Sequence, residues 1–133
     1  MIEIPDQISE AIAAHASFCY PEEACGLLAA DQAGRLRMAY CLTNTDRSAT
    51  AYTVEPSEHF HALRHAERLG WHLAGVFHSH THTDAYPSPT DVARALEPDW
   101  LYLIVGPVDR GAPTLRGYWI RNGEVQEQPL SFG

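Results

Sequence analysis

The chain has 133 residues, a size at which one domain buries about two thirds of the surface its unfolded form exposes. Hydrophobic residues make up 45% and charged residues 20%, the balance of an ordinary globular fold. A formal charge of −8, with no run of Lys or Arg, speaks against nucleic-acid partners, whose phosphates need neutralising. No apolar stretch reaches the ~18 residues that span a bilayer. The segment MIEIPDQISEAIAAH has neither the basic n-region nor the apolar h-region of a signal peptide, so the cytoplasm is the expected compartment. Cys19, Cys41 and Cys25 are odd in number and form no CxxC pair, which points to reduced, mostly packed thiols.

Taken in chain order, IEI (2–4) reads as a short strand. Asp6 is a plausible N-cap for the helix QISEAIAAHASF, which places Ile8 and Ile12 on one face and stops at Pro21. ACGLLAA (24–30) reads as a buried strand, DQAG as a turn, and RLRMAYCLT (35–43) as its antiparallel partner. NTDRSAT is a polar loop before a short strand, AYTV (51–54). Pro56 opens a helix that closes at Gly70, a C-capping glycine. HLAGVFHSH is the next strand, PTDVARALE a short helix, and WLYLIVG (100–106) an apolar central strand. Two closing strands flank RNGE, where Asn122-Gly123 favours a tight hairpin turn. Strands mixed with two or three helices predict an α/β sandwich around a mixed sheet. No repeat or linker divides it.

The chemistry concentrates in HSHTHTDAYPSPTD (78–91). His78 and His80 lie at i and i+2 on a predicted strand, so their rings project to one face and can share a metal. A polar strand end explains the pair equally well. Ser88 and Asp91 form a good helix start, with serine at N-cap, proline at N1 and an acid at N3. Capping alone accounts for both. The same placement puts the Asp91 carboxylate at a helix N-terminus, where its ionised form is favoured. Beside two imidazoles it completes a set of three ligands with one position open for water.

His78-Ser79-His80, seven residues, then Ser88-Pro89-Thr90-Asp91 reproduces the H-x-H-x7-S-x-x-D signature of the JAMM (MPN+) metalloproteases. YPEEACGLL (20–28) is similar to that family's upstream glutamate segment, with Glu23 two places before Cys25-Gly26. The chain resembles the family from about Ile8 to Val125. The resemblance implies a cytidine-deaminase-like α/β/α sandwich, with residues 1–133 forming one JAMM/MPN+ domain. It further implies one Zn²⁺ held by His78, His80 and Asp91. Glu23 is implied as the general base that takes a proton from water and passes it to the leaving amine, and Ser88 as the donor to the oxyanion. Without the resemblance, Glu23 would read as a solvated acid like its neighbour Glu22.

Departures from the family pattern are local. Many relatives have proline after the second histidine, whereas this chain has Thr81-His82, and His82 is a conceivable spare ligand. His61 and His65 are spaced i, i+4 on a helix, where a solvated face is the simpler reading than a chelating pair. Trp71, Trp100 and Trp119 read as core or groove residues. The loop resembles that of bacterial members that process ubiquitin-like sulfur-carrier proteins by releasing a group, such as cysteine, attached after a terminal Gly-Gly. Such a carrier is the expected partner. A noncatalytic MPN scaffold would have lost ligands, and DNA-repair relatives show Pro-Ser-Gly after the second His. A nucleoside deaminase needs H-x-E with P-C-x-x-C, which is absent. Zinc-dependent peptide or isopeptide hydrolysis is the expected activity.

Overall fold

The computed structural model describes residues 1–133. Strand β1 (Ile2–Ile4) leads into helix α1 (Asp6–Cys19), followed by β2 (Cys25–Ala30) and β3 (Leu36–Leu42). Helix α2 (Pro56–Arg68), β4 (His72–Ser79), the short helix α3 (Pro89–Arg94) and β5 (Leu101–Gly106) come next. A 3₁₀ turn at Val108–Arg110 precedes β6 (Thr114–Arg121), β7 (Glu124–Gln128) and β8 (Leu130–Phe132). Six strands form one mixed sheet in the order β3-β2-β4-β5-β6-β7. Within this sheet only β4 and β5 pair in parallel, joined by the segment that carries α3.

Alternation along the strands builds a separate core on each face of the sheet, because successive side chains point to opposite sides. Leu28, Phe77, Leu103 and Val105 pack with Ile8, Ile12 and Ala16 of α1. Their neighbours Leu27, Val76, Tyr102 and Ile104 pack with Ala62 of α2 and with Tyr118 and Ile120 of β6. The result is the expected α/β/α arrangement. Every residue of β2 and of β5 is buried, as a strand covered on both faces requires.

Several expectations shift in detail. Pro5, not Asp6, is the N-cap of α1, with no side-chain cap; Asp6 is the first helical residue, where its charge suits the helix dipole. AYTV makes only one bridge, Val54 to Asn44, because Tyr52 turns towards β4 and is not paired in the sheet. Helix α3 ends at Arg94, short of Glu97, because the chain turns extended at Ala95 and the Tyr102 hydroxyl hydrogen-bonds to both backbone groups of Glu97. The closing hairpin forms at Asn122-Gly123, both with positive φ (52° and 78°), the pair a type I′ turn demands. Beyond it, β8 was not anticipated: it pairs in parallel with β1 to make a second, two-stranded sheet.

Topology settles where chemistry sits. The C-terminal end of β4 and the N-terminal end of its antiparallel neighbour β2 lie at the same edge, with Cys25 paired to His78. Continuing that register outward brings Glu23 beside His80, and Ser79 N–H donates to the Ala24 carbonyl at 3.0 Å. At the same edge β5 ends in Gly106. A Cβ there would come within 2.9 Å of the His80 carbonyl oxygen, so only glycine lets β5 close under the histidine loop.

Candidate metal centre

His78, His80 and Asp91 come together, with little of any of the three side chains exposed. His78 Nε2 lies 3.2 Å from His80 Nε2, and Asp91 Oδ2 lies 3.1 and 3.0 Å from the two nitrogens. His80 Nδ1–H donates to the Asp84 carbonyl at 2.7 Å. With that proton on Nδ1, His80 Nε2 of the neutral ring presents a lone pair to a second imidazole and a carboxylate. Electron pairs converging on one point call for a proton or a cation between them. Two imidazoles and one carboxylate are a donor set that suits a borderline-soft divalent ion such as zinc. The residues therefore fit a metal.

Asp91 has two tasks at once. Its N–H donates to Ser88 Oγ at 3.1 Å, and its Oδ2 accepts from Ser88 N–H at 2.9 Å, a complete capping box. The cap and the cluster were alternatives in the sequence, yet here they are the same geometry: the cap aims Oδ2 at the two histidines. Burial works against its charge, but its contacts with His78 and His80 and the bond from Ser88 N–H outweigh it and hold the carboxyl well below the usual range. Burial lowers His78. For His80 burial is outweighed by Asp91 and the Asp84 carbonyl, which raise it.

Glu23 is 4% exposed, and its Oε1 has no hydrogen-bond partner. Its backbone is pinned on both sides: Glu23 N–H donates to the Ser48 carbonyl at 2.8 Å, and Asn44 Nδ2 donates to the Glu23 carbonyl at 3.0 Å. Next to it, Ala24 N–H donates to Ser79 Oγ at 2.8 Å, tying β2 to the His-Ser-His segment. Burial pushes the Glu23 carboxyl up to about 8; His80 draws it down, and Asp91 adds to the rise. A buried acid without a partner, beside a metal-type cluster, is a candidate proton carrier. Its neighbour Glu22 is 41% exposed and loosely paired with Arg47 at 3.9 Å.

The remaining histidines stay outside. His82 is 56% exposed and its Nδ1 lies 2.9 Å from Asp109 Oδ2, pointing away from the cluster. His65 Nδ1 meets the Tyr40 hydroxyl at 2.7 Å and His61 is exposed, so this pair does not chelate. The cysteines are free thiols, with Cys25 buried and pushed up to about 12 by burial.

Sequence reading missed a support layer drawn from the segment 44–54. Tyr52 stacks on His78, with ring centroids 4.5 Å apart and planes at 23°. Arg94 Nη1 donates to the Tyr52 carbonyl at 2.8 Å, and Thr81 Oγ1 donates to the Ala49 carbonyl at 2.9 Å. Buried Asn44 organises the segment by donating to Ala51 and accepting from Asp46 and Thr53. The only signal in the sequence was the aromatic residue of the expected short strand AYTV, just after the polar loop.

Residues 5–121 match the family described as prokaryotic homologs of the JAB domain. The CysO-cysteine peptidase of Mycobacterium tuberculosis is 37% identical over 132 residues, covering 98% of this chain and 90% of that protein. The desampylase of Haloferax volcanii is 37% identical over 92 residues, covering 68% of this chain and 66% of its own length. Among solved structures, a Desulfitobacterium hafniense protein superposes with a TM-score of 0.90 at 32% identity, covering 100% of this chain and 93% of the other. With its fold and cluster in place, the chain belongs to the prokaryotic JAB-domain (JAMM/MPN) family of hydrolases.

Proposed function

We propose that residues 1–133 act as one zinc-dependent JAMM peptidase domain. It hydrolyses the amide bond after the C-terminal Gly-Gly of a ubiquitin-like sulfur-carrier protein and releases an attached amino acid such as cysteine. The observation that carries this reading is the convergence of His78 Nε2, His80 Nε2 and Asp91 Oδ2 beside the buried, unpartnered Glu23. The names of the two curated relatives support the substrate class.

His78, His80 and Asp91 would hold the zinc. When bound, zinc supplies a Lewis acid that lowers the pKa of water towards ~7 and polarises a carbonyl. Glu23 accepts the proton of the attacking water and returns it to the leaving amine. Burial raises its carboxyl, as suits a group that must hold a proton between taking it from water and returning it to the amine. Ser88 Oγ accepts from Asp91 N–H, which leaves the hydroxyl proton to donate to the oxyanion. Thr81 and Ser79 keep the histidine loop closed against 44–54 and β2 through the bonds described above.

An extended Gly-Gly tail presents no side chains to a narrow approach, and the folded body of the carrier supplies binding energy that a free tail lacks. The zinc-loaded protein is incubated with carriers ending in Gly-Gly plus one residue, and products are weighed by mass spectrometry, with His78→Ala as control. Loss of the added residue in the wild type alone is the expected result. An unchanged carrier mass, or equal cleavage by His78→Ala, sinks the proposal. A free six-residue tail peptide should show a much lower kcat/KM than the intact carrier; equal values would indicate a general small-peptide hydrolase.

A further inference from the structure

His78 and His80 are held by different means. A ligating imidazole ordinarily donates its other N–H to a carbonyl or carboxylate, which fixes both the tautomer and the plane of the ring. His80 does so through Nδ1 to Asp84 at 2.7 Å. Nδ1 of His78 is buried and has no partner at all. The usual device for aiming a ligand is absent from one of the two.

What His78 has is a flat neighbour. The Tyr52 ring lies over the imidazole at 4.5 Å and 23°, nearly parallel, so rotation of the His78 ring would collide with it. Tyr52 belongs to neither helix nor strand, and its position comes from its backbone. Its carbonyl accepts from Arg94 Nη1 at 2.8 Å, and the same Nη1 reaches Asp46 Oδ2 at 3.4 Å. Arg94 stands one helical turn after Asp91 on α3. The residue that covers one candidate ligand is thus tied to the helix that carries another.

We infer that Tyr52 is the positioning residue for His78. Its ring plane fixes the imidazole in place of the missing Nδ1 hydrogen bond, and its link to Arg94 keeps His78 in register with Asp91. The inference rests on the reading of His78 as a metal ligand. Parallel stacking is favourable when one ring is electron-poor, and an imidazole that donates electron density to a cation becomes so. The contact therefore tightens when the site is loaded. The face of the ring carries the effect, so phenylalanine should replace tyrosine and an aliphatic residue of similar bulk should not.

The test compares the wild type with Tyr52→Phe, Tyr52→Leu and Arg94→Gln. Metal-free protein is titrated with zinc against a competing chelator, and the visible absorption of the cobalt-substituted form is recorded. Tyr52→Phe should bind zinc within about threefold of the wild type with an unchanged cobalt spectrum. Tyr52→Leu should lose ~10–100-fold in zinc affinity and show an altered cobalt band, the size of loss typical when support behind a ligand is removed. Arg94→Gln should weaken binding in the same direction and by less. Leucine keeps an apolar cover over His78, so thermal melting of the metal-free variants separates lost aim from lost folding. Wild-type affinity in Tyr52→Leu overturns the inference, as does a Tyr52→Phe protein as weak as Tyr52→Leu, which would place the effect on the hydroxyl. A wild type that takes up no zinc refutes the metal reading itself, and the inference with it.

Discussion

Helices α2 and α3 both begin with proline behind a side-chain cap, yet apolar packing and polar contacts hold them in different proportion. Helix α2 runs for 13 residues, buries Ala62 and Ala66, and is capped by the Glu55 carboxylate, which accepts from Ser57 and Glu58 N–H. Helix α3 has six residues and buries none. Its length is far below the ~12–15 residues at which an isolated helix becomes even marginal in water. Half-buried Val92 packs against the core, and the rest of its anchorage is polar: the Ser88–Asp91 capping box, the Arg94 bond to Tyr52 and the contacts of Asp91 with the two histidines. A helix held by apolar packing is indifferent to what happens at the site. A helix held by polar contacts that converge on candidate ligand atoms is ordered only as far as those contacts are satisfied.

The largest effect should come from breaking α3 at its candidate ligand, Asp91. Asp91→Ala removes a donor atom and half of the capping box together. Elemental analysis should find the variant empty of zinc, and turnover should vanish. Amide exchange should quicken throughout α3 while α2 keeps its protection. His82→Ala should retain zinc, since that ring is turned towards Asp109. A zinc-loaded Asp91→Ala beside an emptied His82→Ala would overturn the ligand assignment.

Next in size is Glu23→Gln, which touches neither helix. It should keep its zinc while turnover falls on the order of 10²–10⁴-fold, because proton transfer is lost and the donor atoms remain. The pH dependence of the metal-free protein gives a second reading. The folded-state value of Glu23, about 8, lies above the ordinary value of 4.5. The folded protein therefore holds this proton more tightly than the unfolded chain. That stabilisation is complete below about pH 4.5 and is lost as pH rises through 8. Metal-free Glu23→Gln should accordingly melt higher than the metal-free wild type at pH 8 and above, with the gap closing towards pH 4. A constant gap across that range would assign the difference to something other than the carboxyl proton.

Ser88 sharpens the comparison, because its hydroxyl belongs both to the α3 cap and to the proposed chemistry. As an oxyanion donor its loss should reduce kcat by about 10²–10³-fold. As a cap alone, Ser88→Ala should cost about 1 kcal/mol of stability, and Ser88→Gly only a few tenths. If Ser88→Gly turns over normally, the serine is a cap and nothing more.

The smallest effect belongs to α2. Glu55→Ala removes the equivalent N-cap and should lower the denaturant midpoint slightly. Zinc content and turnover should not change, because packing of Ala62 and Ala66 still holds the helix against the sheet.

Legibility in the sequence follows the range of each interaction. The buried strands β2, β4 and β5 and helix α2 were readable because their period or composition is local. The placement of His78 and His80 on one face followed from a spacing of two. The capping box at Ser88–Asp91 was readable for the same reason. Glu23 was identified only through family resemblance, since no local pattern separates it from Glu22. The bridge at Val54, the early end of α3 and the pairing of β8 with β1 were misread or unseen. Val54 meets Asn44 and Glu97 meets the Tyr102 hydroxyl through short-range contacts that no strand or helix period marks, whereas Leu130 pairs with Ile2 at the other end of the chain.

By itself the sequence determined the alternation that buries one core on each face of the sheet, the capping of α3, and the two imidazoles and one carboxylate that meet at the candidate site. These depend on residue identity within a few positions, where geometry is nearly fixed by backbone periodicity. Tertiary structure alone decided that Glu23 would lie unpartnered beside His80 and that Asp91 Oδ2 would serve its cap and both histidines. It also brought Tyr52, 26 residues before His78 in the chain, over that ring. The physical reason is strand pairing: the antiparallel register of β2 on β4 brings distant residues to one sheet edge, and no local preference encodes where that edge falls.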